Sequence, residues 1–221
     1  MFKKILIANR GEIATRIIRA CKELGIPTVA IYSEEDSTAL YVKKADEAYM
    51  VGPGPLQGYL STHRIVDLAT KIGVDAIHPG YGFLSENVRF PLLCEKKGIT
   101  FIGPSARSIA DMGDKIKARK LMVKAGVPVV PGSNGPVKSV ESALRAAKKI
   151  GYPIMVKASG GGGGRGLRVA NDKTELQNAI ESAKMETKAA FGTSDVFLEK
   201  YLVKPHHIEF QVLADKHGNA I

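Results

Sequence analysis

Five consecutive glycines, Gly160 to Gly164, follow an apolar run that ends at Lys157, and a second apolar run begins at Leu167. Glycine has no Cβ, so the amide groups of such a run can close around phosphate oxygens. The order strand, lysine, glycine run, strand therefore predicts a phosphate-binding turn. A flexible linker is the alternative, although linkers usually contain serine and join polar segments.

Three familiar nucleotide loops do not match the chain. The pattern GxxxxGK[ST] needs Lys and then Ser or Thr after the last glycine, where this chain has Arg165 and Gly166. The kinase loop has its lysine on a later strand, whereas Lys157 precedes the glycines. The dinucleotide pattern GxGxxG is absent from the first turn, at 8–12, which contains one glycine. The sequence therefore excludes a nicotinamide-dependent enzyme of that type.

A second candidate binding segment is Glu199-Lys200-Tyr201-Leu202. An extended segment of this kind can offer backbone N–H and C=O groups to the edge of an adenine. Cationic and amide donors that converge on a triphosphate form charge-assisted hydrogen bonds, which are the stronger kind. For Lys157 taken alone, an ordinary lysine at a strand edge is the alternative. Together the lysine, the glycine run and this segment predict a nucleotide site.

The first hundred residues alternate between strand and helix patterns. The predicted strands are 4–8, 28–32, 48–51, 75–77 and 100–102, and the predicted helices are 13–24, 62–72 and 88–97. This order predicts an α/β fold, namely a Rossmann-like, doubly wound parallel sheet with right-handed crossovers. The segment 78–87 follows a strand, at the edge where ligand clefts of such sheets open. Its glycines alternatively serve only a tight turn.

A domain boundary is predicted near Gly113, which separates an N-terminal domain, 1–113, from a second part, 114–221. The second part reads as helices at 114–125, 140–150 and 173–190, strands at 153–158, 167–170, 196–201 and 207–214, and a hairpin turn at 215–219. This pattern indicates an α+β domain that looks incomplete. We expect the segment of about 128–201 to form a mobile lid that carries the glycine run.

Composition restricts the class of protein. The chain has 221 residues, 44% of them hydrophobic, as in a soluble globular protein. Cys21 and Cys94 lie in apolar helical stretches, which indicates reduced core thiols and a cytoplasmic protein. The apolar run Ile5–Ala8 is too short for a signal peptide, and we expect no membrane segment.

The net charge of +10 by itself allows a nucleic-acid-binding protein. Most of the excess lies in 114–221, partly at helical spacings that are typical of a solvated face. The chain has no basic motif with interleaved aromatic residues of the kind that binds single strands. We therefore expect no nucleic acid partner.

The chain resembles biotin carboxylase, the ATP-grasp component of biotin-dependent carboxylases. The resemblance covers the whole chain, and the ten-residue run HPGYGFLSEN at 78–87 is its most specific part. The other matching segments are IANRGEIA at 7–14, MGDK at 112–115, KAS with the glycine run at 157–164, and EKYL at 199–202. The second part of the chain is accordingly expected to be an incomplete ATP-grasp domain.

The resemblance implies ATP-dependent carboxylation of biotin on a carrier protein, with bicarbonate as the carbon source and carboxyphosphate as the intermediate. It implies that Lys115 and Lys157 contact the ATP phosphates, and that Gly163 and Gly164 supply loop amides. It implies adenine contacts for Glu199 to Leu202. His207 is implied as a further nucleotide contact, for which an ordinary surface histidine is the alternative.

The resemblance also implies Mg²⁺, because phosphoryl transfer needs the charge on the phosphate oxygens to be neutralised. The family has its two metal-binding glutamates, its bicarbonate-binding lysine and its catalytic arginine downstream of the segment that ends here at Ile221. We therefore expect no metal ligand and no catalytic residue within this chain. The isolated chain is expected to lack turnover, and a noncatalytic nucleotide-binding or interaction module is the alternative function.

The partners implied by the resemblance are a biotin carboxyl carrier protein, a carboxyltransferase component and a second copy of the chain. The first helix has Arg16, Arg19 and Glu23 away from its apolar stripe, on the face that biotin carboxylases commonly use to form homodimers. A solvated charged face is the alternative for these residues. The acceptor stays open among acetyl-CoA, propionyl-CoA and pyruvate, so both fatty acid biosynthesis and pyruvate carboxylation fit.

Overall fold

The computed structural model describes residues 1–133, 135–158, 167–191, 195–215 and 217–221. The chain divides into two compact units, Met1–Lys124 and Ala125–Ile221. The sequence pattern has its domain boundary at Gly113 instead, and that boundary stays a prediction. Over the described ranges, no helix combines the length and the apolar character that crossing a membrane requires.

The first unit contains a five-stranded parallel sheet with the strand order β3-β2-β1-β4-β5. Its strands are β1 Ile5–Ile7, β2 Thr28–Ser33, β3 Glu47–Gly52, β4 Ala76–His78 and β5 Thr100–Phe101. Its helices are α1 Gly11–Glu23, α2 Leu40–Lys44, α3 Thr62–Lys71, α4 Arg89–Lys96, α5 Ala106–Gly113 and α6 Lys115–Lys124. All five predicted strands are therefore confirmed within two residues at each end.

Helices pack on both faces of this sheet. Successive residues of a strand point to opposite faces, so β1 buries Leu6 on one face and Ile7 on the other. Ile18 of α1 packs on the face of Ile7, and Ile65 of α3 and Phe90 of α4 pack on the face of Leu6. This confirms the prediction of a doubly wound sheet.

Cys21 and Cys94 are both buried and free. Burial raises the pKa of both thiols, that of Cys94 to about 11, because the apolar surroundings disfavour a thiolate. They are core thiols, as the sequence predicts.

Three short elements were not predicted: a 3₁₀ turn at Glu34–Asp36, α2 and α5. Each is eight residues or shorter, so its apolar periodicity gives little signal. Helix α5 begins with a local cap, since the backbone N–H of Ser108 donates to the Ser105 side chain over 3.1 Å. Helix α2 is held by Tyr41, which is 1% exposed.

The second unit contains a three-stranded antiparallel sheet with the order β7-β6-β8. Its elements are α7 Val140–Ile150, β6 Ile154–Ala158, β7 Leu167–Ala170, α8 Lys173–Phe191 and β8 Val196–Lys200. Ile154 and Val156 of β6 pack with Ala147 of α7 and Ile180 of α8 in one core. Both helices thus cover the same face of the sheet, and the α+β prediction is confirmed for the described ranges.

The predicted strand at 207–214 is wrong, because no regular strand is present in the described residues beyond β8. Ile208 and Phe210 are 73% and 88% exposed. The backbones of Leu213 and Ile221 exchange two hydrogen bonds of 2.9 Å, which close the predicted hairpin turn. A strand needs a neighbour for its N–H and C=O groups, and the alternating pattern of one segment does not provide that neighbour.

Candidate functional site

The candidate nucleotide site is the face of the second sheet that is turned away from α7 and α8. In the antiparallel register, Lys157 stands opposite Leu167 and Phe197, and Met155 stands opposite Val169 and Glu199. Residues that stand opposite one another share a face. The open face therefore consists of six side chains: Met155, Lys157, Leu167, Val169, Phe197 and Glu199.

The open face has four apolar side chains around one ion pair. The Lys157 ammonium group donates to Oε2 of Glu199, across the diagonal between β6 and β8. The two side chains are 41% and 27% exposed, so solvent reaches both. Ion pairs with such exposure contribute only about 0–1 kcal/mol to stability. The pair instead offers an ammonium donor and a carboxylate acceptor inside an apolar surface.

The glycine run connects two strands at the position of this lysine. Lys157 is the second-last residue of β6, and its partner Leu167 is the first residue of β7. The strand ends that this connection joins, Ala158 and Leu167, are therefore neighbours of Lys157 along the chain and across the sheet. Gly163 and Gly164 lie outside the described residues, so their phosphate contacts stay predictions.

The backbone of the segment from Glu199 to Leu202 is partly used by the fold. The N–H of Lys200 donates to Pro131 over 2.7 Å, and the N–H of Tyr201 donates to Pro153 over 3.1 Å. The N–H of Leu202 has no hydrogen-bond partner among the described residues. Leu202 is 48% exposed. Of the three backbone N–H groups of Lys200, Tyr201 and Leu202, only that of Leu202 is thus left without a partner in the described part of the chain, and the adenine contacts of the segment stay predictions.

The Lys200 side chain has a structural role. Its ammonium group donates to the carbonyl oxygens of Gly151 and Tyr152, over 3.1 and 2.6 Å. These carbonyls follow the last turn of α7, where cations are favourable because the helix dipole leaves partial negative charge there. Lys200 therefore ties α7 to β8.

Two other predicted nucleotide contacts are not tested by the structure. Lys115 is the first residue of α6, and its side chain lies outside the described part of the chain. His207 Nε2 lies 2.8 Å from Oε1 of Glu209, and its side chain is 83% exposed. The nucleotide roles of both residues stay predictions.

A second candidate site lies at the carboxyl ends of β1 and β4, in the first unit. The side-chain amide of Asn9 donates to the carbonyl oxygens of Pro79 and Tyr81, over 2.7 and 2.8 Å. The backbone N–H of Gly80 donates to Nδ1 of His78 over 3.0 Å. Burial lowers the pKa of His78, which favours the neutral imidazole that this acceptor role requires. The start of the HPGYGFLSEN segment is thus held in one conformation.

Sequence reasoning missed a buried polar network beside this loop. Arg10 donates to both carboxylate oxygens of Asp36, through Nε over 2.6 Å and through Nη2. Tyr59 also donates to Asp36 over 2.6 Å, and the Tyr41 hydroxyl lies 2.8 Å from that of Tyr59. The hydrogen bonds from Arg10 hold the pKa of Asp36 below its ordinary value, against the opposing effect of burial. No local pattern relates these four residues, which are up to 49 positions apart in sequence.

Metal chemistry is not assigned to any described residue. The ranges that the structure describes contain no group of three or more His, Cys, Asp or Glu side chains that could hold an ion.

Two family descriptions match the chain, one for each part. Residues 1–109 match "Biotin carboxylase, N-terminal domain", and residues 114–221 match "Carbamoyl-phosphate synthase L chain, ATP binding domain".

Among curated proteins, the chain is 62% identical to the 2-oxoglutarate carboxylase small subunit of Hydrogenobacter thermophilus. It is 55% identical to biotin carboxylase 1 of Bacillus subtilis. Each match covers 100% of this chain, and covers 47% and 49% of the respective relative. The chain thus spans about half the length of the curated relatives it matches.

Solved structures agree with these relatives. The biotin carboxylase domain dimer of the Hydrogenobacter thermophilus enzyme, in complex with MgADP, ADP and bicarbonate, is 62% identical and has a TM-score of 0.85. The biotin carboxylase of Campylobacter jejuni, in a β-γ-ATP complex, is 48% identical and has a TM-score of 0.87. These matches cover 100% of this chain and 49% and 50% of those chains. The chain therefore belongs to the biotin carboxylase family, with residues 1–109 in its N-terminal domain and residues 114–221 in its ATP-binding domain.

Proposed function

We propose that the protein containing this chain uses ATP and bicarbonate to carboxylate biotin on a carrier protein, and that the open face of the second unit binds the nucleotide. The Lys157–Glu199 ion pair is the observation that carries the proposal. It is the charged pair of an otherwise apolar face, and Lys157 lies near the end of β6, from which the chain continues into the glycine run. Bound ATP supplies the phosphoryl group that activates bicarbonate.

The purine ring lies flat against the apolar side chains of the open face, since ligand sites are mostly apolar with a few placed polar groups. Glu199 accepts from the exocyclic amino group of the base, and the Leu202 N–H donates to a ring nitrogen. Lys157 exchanges its carboxylate partner for a phosphate group of the nucleotide. The backbone amides of Gly163 and Gly164 donate hydrogen bonds to the other phosphate groups of the nucleotide.

Lys115 and His207 add contacts to the nucleotide, and Mg²⁺ accompanies the phosphates. The biotin carrier protein and the carboxyltransferase component are the protein partners, and the enzyme acts in the cytoplasm. Two copies associate through the charged face of α1. The related Hydrogenobacter thermophilus domain is a dimer, which supports the association of two copies, and the α1 face is proposed because its charged side chains are exposed.

The nucleotide site is tested by comparing ATP with adenosine, by calorimetry on the intact protein. Lys157→Gln should weaken ATP binding by roughly ten- to a hundredfold, because a hydrogen bond to a charged group contributes about 1.5–3 kcal/mol. Adenosine has no phosphate, so its affinity should change less than about twofold. Lys148→Gln removes the same charge from an exposed position of α7 and should change neither affinity.

The activity is tested by phosphate release from ATP in the intact protein with biotin present. Release should depend on bicarbonate and should fall in Lys157→Gln but not in Lys148→Gln. Unchanged release in Lys157→Gln would refute the phosphate role of the lysine. Release that is indifferent to bicarbonate would refute the carboxylation itself.

A further inference from the structure

The second unit contains a cleft on the side of the sheet that the helices cover. The cleft has a volume of about 460 Å³ and lies between α7 and the segment 132–138. Its volume is in the range of small-molecule sites, about 300–1,000 Å³. Neither Lys157 nor any residue from Glu199 to Leu202 lines it. The cleft is therefore separate from the candidate nucleotide site.

All charged side chains in the described lining of this cleft are cations. Lys138 contributes one from the loop, and Arg145 and Lys149 contribute two from adjacent turns of α7. None of the three forms an ion pair within 4.0 Å with a described carboxylate. Glu141, one turn before Arg145, does not line the cleft. Glu141 is close enough to Arg145 for their charges to interact, which leaves an excess of positive charge along the cleft, and such an excess raises the local concentration of anions.

The walls of the cleft also offer an apolar surface. Ala146 and Ile150, which are one turn apart on α7, line one wall, and Pro136 and Val137, which is 7% exposed, belong to the other. An inorganic anion has no carbon atoms that could contact this apolar surface. An organic anion can place its carbon atoms there while its charge meets the cations.

Hydrogen bonds hold both walls of the cleft in the absence of a ligand. The loop runs along the outer edge of β8, where the N–H of Ser133 donates to Leu198 and the N–H of Val137 donates to Val196, each over 2.8 Å. On the other wall, Ser139 and Ser142 form a reciprocal cap at the start of α7. A preformed site does not have to pay an ordering cost when the ligand arrives.

We propose that this cleft is a second ligand site, which binds a small organic phosphate. Arg145 forms a bidentate pair with the phosphate, as its planar guanidinium group favours. Lys138 and Lys149 balance the remaining charge, and the carbon part of the ligand lies against Ile150 and Ala146. The proposal does not depend on the nucleotide role of the open face.

Calorimetry with glycerol 3-phosphate on the intact protein tests this site. The double variant Arg145→Gln/Lys149→Gln should weaken binding by about tenfold or more, because it removes both charge-assisted donors of α7. The matched control Lys148→Gln/Lys173→Gln removes two exposed positive charges of the same unit outside the cleft. Its affinity should stay within about twofold of the parent. Lys157→Gln should likewise leave glycerol 3-phosphate binding unchanged, which separates this site from the nucleotide site.

Amide chemical shifts locate the ligand. Glycerol 3-phosphate should shift resonances from 132–150, and glycerol, which lacks the phosphate, should not. Absence of saturation up to about 10 mM would overturn the proposal. Equal weakening in the cleft variant and its matched control would overturn it too, since the binding would then reflect net charge alone. Loss of binding in Lys157→Gln alone would assign the phosphate to the open face.

Discussion

Asn9 occupies the space that a side chain on Gly80 would need. A Cβ on Gly80 would lie 2.8 Å from Nδ2 and 3.2 Å from Cγ of Asn9. The same Nδ2 atom donates to the carbonyls of Pro79 and Tyr81, on either side of the glycine. Gly80 also has a φ of +64°, in the left-handed region. Asn9, which follows β1, thus lies so close to the turn after β4 that position 80 requires glycine.

Gly80→Ala should destabilise the protein more than Gly82→Ala. Gly82 has nearly the same φ, +65°, but a Cβ there would meet no atom within 4 Å. Both variants have the cost of a left-handed alanine, about 1–2 kcal/mol. Gly80→Ala has an additional overpacking cost of about 1–3 kcal/mol. Urea unfolding of the two variants measures the difference, and equal free energies of unfolding would contradict the packing argument.

Because of the Arg10–Asp36 pair, the free energy of unfolding should depend on pH in the acidic range. The pKa of Asp36 is lowered in the folded protein, so its contribution is fully present above the unfolded carboxyl pKa, about 3.9. That contribution is lost as the pH falls through the lower folded pKa. Asp36→Asn should therefore reduce the free energy of unfolding by about 1.5–3 kcal/mol at pH 7.

Urea unfolding of Asp36→Asn and the parent between pH 7 and pH 3 checks this dependence. The gap between the two proteins should narrow below about pH 4. Glu35→Gln, an exposed neighbour, removes the same charge and should leave the free energy of unfolding nearly unchanged. A gap that stays constant over the whole range would refute the role of the Asp36 charge.

Reversing the charge of Arg19 should shift the protein toward monomer. Arg19 pairs with Glu23 over 2.9 Å on the outer face of α1, and its side chain is 83% exposed. If that face forms the dimer contact, Arg19→Glu introduces like charges at the interface, which oppose association. Arg107→Glu is the matched control, because Arg107 also forms an exposed i,i+4 pair, with Asp111. If sedimentation shows the same proportions of monomer and dimer for both variants as for the parent, the α1 face is exposed to solvent and is not the dimer contact.

The double variant Gly163→Ala/Gly164→Ala should lose more free energy of ATP binding than free energy of unfolding. A run of five glycines loses much backbone entropy when it is held in one conformation, so phosphate contacts are needed to order it. Hydrogen exchange over 160–166 in the intact protein should therefore slow on addition of an ATP analogue. Equal protection with and without the analogue would show that the run is already ordered and would contradict the lid.

The order and type of the longer elements could be predicted from the amino-acid sequence alone. The apolar run of β1 and the helical stripe of Ile17, Ile18 and Cys21 are local patterns, and local propensity and periodicity suffice to predict them. The order strand, Lys157, glycine run, strand likewise indicated phosphate chemistry, because the glycines and the lysine are neighbours in the chain. The family resemblance followed from segments of the same kind.

Which residues contact one another depends on how the elements pack, and the sequence did not predict it. Lys157 and Glu199 are 42 positions apart, and only the antiparallel register of β6 and β8 puts them diagonally opposite on one face. The segment 207–214 has the alternating sequence pattern of a strand but does not form a regular strand. Backbone pairing depends on a neighbouring segment and not on the segment itself. Like Lys157 and Glu199, Asn9 and Gly80 are distant in sequence and close together in the fold. Periodicity is a property of one segment, whereas contacts between segments depend on register and packing, which no single segment contains.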